Sequence, residues 1–88
     1  MSAYRFIVSG RVQGVGYRYF ALQAARALQV AGFARNQPDG TVEVVAEGSA
    51  ANLEELEARL REGPSFSHVE GVERATIDSP GHRSFDVR

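Results

Sequence analysis

The chain has 88 residues, 43% of them hydrophobic and 24% charged, with no cysteine and no lysine. That length makes one domain (residues 1–88) with one modest core, because a chain this small buries only about 60% of its unfolded surface; no apolar run approaches the roughly 20 residues of a membrane span, disulfides and thiolate chemistry are excluded, and so are a lysine Schiff base and a P-loop lysine. The net charge of −1 is unevenly divided: residues 1–38 hold five arginines and no acid, and residues 39–88 hold five arginines and all eleven acids, which draws an anionic ligand to the first half while arguing against a dedicated nucleic-acid binder.

Met1 to Arg5 leads straight into a strand pattern without a signal-peptide apolar region, so a cytoplasmic location is expected. Tyr4 to Val12 alternates, with Phe6, Val8 and Val12 on one face and Arg5, Ile7, Ser9 and Arg11 on the other. Gly14-Val15-Gly16 then opens a helix predicted over about 17–30, with Phe20, Ala24, Ala27, Leu28 and Ala31 at helical spacing. This helix start has no Ser, Thr, Asp or Asn cap and no carboxylate to complement the dipole, so its amides need another partner.

A short extended segment, 31–36, meets Gln37-Pro38-Asp39-Gly40, whose Pro, Asp and Gly suit a type I turn ending in a left-handed glycine. A hairpin into Thr41–Glu47 follows, with Val42, Val44 and Ala46 on one face and Thr41, Glu43, Val45 and Glu47 on the other. Ser49 caps a second helix with the stripe Ala50, Leu53, Leu56 and Leu60, and Gly63-Pro64 stops it. Val69 to Ile77 reads as a strand with a bulge at Gly71, and Phe85 and Val87 mark a short last strand. The order predicts an α+β, ferredoxin-like βαββαβ sandwich: an antiparallel sheet with two helices on one face and an extra C-terminal strand.

Gly10-Arg11-Val12-Gln13-Gly14-Val15-Gly16-Tyr17-Arg18 has the build of an anion site, in which glycines let amides converge, a helix start adds free N–H groups, and an arginine adds a full charge. Val8 to Phe20 resembles the signature of the acylphosphatase family, and Gly32 to Val42 resembles its second signature. The resemblance implies a metal-independent hydrolase that converts an acyl phosphate and water to a carboxylate and inorganic phosphate. Arg18 and the backbone amides of Gln13, Gly14, Val15, Gly16, Tyr17 and Arg18 would bind phosphate, and Asn36 would position the water. No cofactor, metal, nucleic-acid partner or membrane partner is expected, and the chain is expected to act as a monomer on a small-molecule acyl phosphate, with inorganic phosphate as product or inhibitor. The family usually has Phe where Tyr17 stands and often Trp-Val at Phe33-Ala34, differences that touch packing rather than chemistry.

The alternative is a non-catalytic ferredoxin-like module binding phosphate-bearing small molecules or RNA. Singly, Arg18 reads as a solvated helix arginine and Asn36 as a turn-flanking residue; together, in matching contexts, they favour the enzyme. His68 and His82 make no metal spacing, and Ser67, His82 and Asp86 lack a nucleophile elbow. Alternation and helical spacing assign Phe6 and Phe20 to the core rather than to base stacking.

Overall fold

The computed structural model describes residues Met1–Arg88. It runs β1 (Ser2–Arg11), α1 (Tyr17–Ala27), β2 (Ala31–Asn36), β3 (Val42–Gly48), α2 (Ala50–Glu62), β4 (His68–Thr76) and β5 (Phe85–Val87). The predicted order is present in full. One sheet forms in the order β4-β1-β3-β2-β5, and its first four strands pair antiparallel.

β5 departs from the expectation of a wholly antiparallel sheet, because it lies parallel to β2. The chain leaves β4 at one edge and crosses to the other, its Ile77 amide bonding Ala3 and its Ser84 carbonyl accepting from Gly32. Having crossed at the end where β4 finishes, it enters the far edge running opposite to β4, which is the direction of β2. Glu47 anchors this crossover: its carboxylate accepts from the Ser79 hydroxyl and from the amides of Gly81 and His82. The Ser79 bond, with the two amides and the His82 charge behind it, holds the carboxyl below the usual range despite its burial.

The strand β3 shows what alternation missed. All seven of its residues are buried, including Glu43 and Glu47 on the face opposite Val42, Val44 and Ala46. Arg5 and Arg35 both pair with Glu43, and the crossover covers Glu47, so the polar face of this central strand is roofed by its own ion pairs and a passing chain. The helices pack on the other face, where Phe6, Val8, Val42 and Val44 meet Ala21 and Ala24 of α1 and Leu53, Leu56 and Leu60 of α2. Ala50, predicted for that stripe, is exposed.

Two expectations for α1 are corrected. The helix ends at Ala27 instead of continuing to Val30, because Gln29 takes φ 56° and closes a C-terminal motif in which Val30 N–H bonds Ala25 and Gln29 N–H bonds Arg26. Its buried face is Tyr17, Ala21, Leu22, Ala24 and Ala25, whereas Phe20 is half-buried, Ala27 is exposed, and Leu28 and Ala31 lie beyond the helix. Small alanines let the helix settle closely on the sheet. The bulge falls where Gly71 indicated: the β1–β4 register steps from Ser9–Gly71 to Gly10–Val69 and skips Glu70. Gly10 permits it, since a Cβ there would stand 2.2 Å from the His68 carbonyl oxygen.

Tyr17 joins the two helices. Its hydroxyl donates to the Leu60 carbonyl at 2.7 Å, an oxygen whose intrahelical donor would be residue 64, a proline with no N–H. Burial pushes the phenol well above its ordinary pKa, so it stays a neutral donor. Tyr17→Phe leaves that buried carbonyl unpaired and is expected to cost about 1 kcal/mol or somewhat more in urea unfolding, with little change in turnover because the ring is kept. No helix is long and apolar enough to cross a membrane.

Candidate active site

The chain leaves β1 at Arg11 and reaches α1 through residues 12–16, turning on Gly14 and Gly16 at φ 74° and 79°. These left-handed positions are natural for glycine, and a Cβ at either would meet nothing within 4 Å, so the loop has its glycines for backbone shape rather than for clearance. Gly16 caps α1 without a side-chain bond, and the first turn contains no acid, as the sequence indicates. The first helical bond runs from Phe20 N–H to Gly16. The amides of Tyr17, Arg18 and Tyr19 therefore have no intrahelical acceptor, and no turn, loop or cap backbone bond has a donor between Gln13 and Tyr19. A row of unpaired N–H groups beside a positive dipole end is an anion receptor.

The opposite wall comes from the β2–β3 hairpin. Its turn closes with Gly40 N–H on the Gln37 carbonyl and Gln37 N–H on the Thr41 carbonyl, with Gly40 at φ 93°, as the Pro-Asp-Gly pattern predicts. Asp39 accepts from both the hydroxyl and the amide of Thr41, bonds that lower its pKa. Asn36 stands at the mouth of this hairpin, opposite Val42. Its Oδ1 is the one buried side-chain polar atom in the protein without a hydrogen-bond partner.

Gln13, expected to contribute only its amide, does something further with its side chain. Its Nε2 donates to the carbonyls of Gln37 and Thr41 at 2.8 and 2.9 Å, which pins the glycine loop to the hairpin that presents Asn36. No sequence periodicity carries such a contact, because it spans two loops. The β5 contribution was equally hidden. Arg88, the residue after β5, donates its N–H to the Ala34 carbonyl, and its main-chain oxygen accepts from Arg18 Nη1 at 2.7 Å, so the segment leaving the last strand steadies the guanidinium.

These pieces enclose the molecule's one cleft, about 340 Å³ in volume. Gly14, Gly16, Tyr17, Arg18 and Asn36 all line it, which brings together the glycine loop, the arginine and the asparagine; Gln13 and Val15 stand in the loop but outside the lining. Arg18 is the only charged residue on the walls. Elsewhere, Arg35 is committed to Glu43. The Ser67 hydroxyl donates to Pro64 and the His82 ring packs on Phe33, with no hydrogen bond joining those two residues or either to Asp86. No three His, Asp or Glu residues group as a metal site.

Fold and cleft together define a ferredoxin-like sandwich with a glycine loop whose amides have no backbone acceptor. The acylphosphatase family model matches residues 4–87. The chain belongs to the acylphosphatase family, and with that membership goes acylphosphatase activity, that of a hydrolase. An acylphosphatase of Xanthomonas euvesicatoria pv. vesicatoria is 53% identical over 85 residues, spanning 97% of each chain. Another, from Methanothrix thermoacetophila, is 47% identical over 83 residues, covering 94% of this chain and 92% of its own. The crystal structure of acylphosphatase from Bacillus subtilis has a TM-score of 0.97 at 39% identity, covering 100% of this chain and 99% of that one.

Proposed function

We propose that the cleft hydrolyses acyl phosphates without a metal ion, with Arg18 and the amides of residues 13–18 holding the phosphoryl group and Asn36 aiming the attacking water. The observation that carries this reading is the placement of Asn36, whose Oδ1 has no protein partner, on the same cleft as Arg18 and the uncapped start of α1. A buried acceptor with no donor costs about 1–3 kcal/mol. A water that donates to it satisfies the atom and has its lone pair turned toward the phosphorus.

The chemistry needs little more. The departing carboxylate has a conjugate acid with a pKa of about 4, so the leaving group requires no proton and the site requires no general acid. Water oxygen forms the new bond to phosphorus as the bond from phosphorus to the acyl oxygen breaks, and the electron pair leaves with the carboxylate. The water's proton passes to a phosphoryl oxygen, giving inorganic phosphate. Arg18 grips two phosphoryl oxygens bidentately, and the amides supply fixed neutral donors that need no reorganisation as charge shifts. Asn36 is neutral and acts as an orienting acceptor rather than a base, so its contribution is alignment. The guanidinium and the helix start already supply the positive field that a metal would otherwise provide.

The test is hydrolysis of benzoyl phosphate by the folded protein in EDTA. Release of benzoate and phosphate at an undiminished rate is the expected result. Absence of turnover would overturn the hydrolytic reading in favour of a silent phosphate-binding module, and turnover abolished by the chelator would overturn the metal-free mechanism.

A further inference from the structure

Arg88 is held in three places. Its N–H donates to the Ala34 carbonyl at 2.8 Å, its main-chain oxygen accepts from Arg18 Nη1 at 2.7 Å, and the central carbon of its guanidinium lies 4.0 Å from the centroid of the Phe33 ring. Ala34 belongs to the core cluster and Phe33 does not, so alternation along β2 puts the ring on the sheet face away from the helices. Phe33 is nonetheless buried, because the His82 ring packs edge-on against it at 5.7 Å and the His82 amide is tied to Glu47. The Arg88 guanidinium has no carboxylate partner among the ion pairs of the protein. The aromatic face is therefore what holds it, by attraction between the cation and the ring.

We propose that Phe33 and the Arg88 side chain are positioning residues for Arg18: the stack on the outer face of the sheet keeps the Arg88 main-chain oxygen where it orients the Arg18 guanidinium in the cleft. The proposal rests on the phosphoryl assignment made for Arg18. β5 spans three residues, and beyond it one backbone hydrogen bond, to Ala34, holds Arg88. The stack adds a second hold through the side chain. An arginine already fixed through Nη1 gives up its rotamer freedom before the anion arrives, whereas a free one gives it up on binding and weakens the grip. Neither the Phe33 ring nor the Arg88 guanidinium lines the cleft, so both act only through Arg18. Arg35 also approaches the ring, at 5.8 Å, but Glu43 holds it.

The experiment measures kcat/KM for benzoyl phosphate, the inhibition constant of inorganic phosphate and the urea midpoint in the wild type, Phe33→Leu, Arg88→Ala, the double variant and Phe33→Trp. Phe33→Leu keeps every charge and should raise the inhibition constant and lower kcat/KM by one common factor of roughly two- to fivefold, the hold of an exposed cation–π contact. Arg88→Ala, at an exposed position, should do the same, and the double variant should lose no more than either single one. Phe33→Trp should match the wild type, since an indole face serves a guanidinium at least as well. A ring that only supports the fold would lower the urea midpoint of Phe33→Leu and leave phosphate inhibition unmoved, and a long-range effect of the Arg88 charge would weaken inhibition in Arg88→Ala alone. Either result, additive losses in the double variant, or a Phe33→Trp protein as impaired as Phe33→Leu would overturn the positioning role. If inorganic phosphate failed to compete with benzoyl phosphate in the wild type, the phosphoryl assignment itself would fall and the positioning role with it. Competition intact in the wild type and unchanged in Phe33→Leu removes the positioning role alone.

Discussion

Arg18→Ala is expected to lower kcat/KM for benzoyl phosphate by roughly 3 kcal/mol or more, on the order of a hundredfold at least, and to weaken competition by inorganic phosphate in parallel. Both losses have one cause. Arg18 is the only charged group lining the cleft, so without it the phosphoryl oxygens meet only neutral donors in the ground state and in the transition state alike. Arg18→Lys should recover little. A lysine ammonium cannot hold two oxygens in a planar fork while another of its protons serves the Arg88 main-chain oxygen, to which Arg18 Nη1 donates at 2.7 Å. The fold should survive, since Arg18 is half-buried and outside the core cluster, and an unchanged urea midpoint would establish that. Phosphate inhibition equal to wild type in a folded Arg18→Ala protein would show that the amides alone bind the anion and that the assignment to Arg18 is wrong.

Elements with local causes were readable in the sequence, and those set by distant contacts were not. Alternation located Phe6 and Val8 on the buried face of β1 and marked Val12, just past its end, as buried, and Pro38-Asp39-Gly40 announced a turn whose geometry is decided within four residues. The missing cap at Gly16 was equally local, so the uncapped start of α1 could be read directly. The end of that helix could not, because its left-handed closing residue is Gln29 where glycine or asparagine would have signalled the stop. Burial of Glu43 and Glu47 depends on Arg5, Arg35 and a crossover from the far edge of the sheet, all remote in sequence. The same limit governs the site. Arg18 and Asn36 could be named as candidates from local motifs, but the Gln13 bridge and the bond from Arg18 to the Arg88 main-chain oxygen arise only when loops and the segment beyond an edge strand come together.

Asn36→Ala is expected to separate function from binding and from stability. Removing Oδ1 takes away the acceptor that orients the water, so kcat should fall on the order of a hundredfold, the scale of a misaligned reactant. Phosphate inhibition should stay near wild type, since Arg18 and the amides are untouched. The stability readout is the more discriminating one. Most substitutions that remove a buried polar group also break its hydrogen bond, yet this oxygen has no protein partner, so nothing is orphaned when it goes, and a desolvated acceptor is eliminated. The urea midpoint should hold or rise while turnover collapses. Asn36→Asp adds a contrast: the orienting oxygen returns, but with a negative charge facing the phosphoryl group, so phosphate inhibition should weaken as well. If Asn36→Ala instead lost phosphate inhibition at constant kcat, Asn36 would belong to the phosphate grip. If it lowered the urea midpoint together with kcat, the residue would be holding the hairpin in place rather than holding a water.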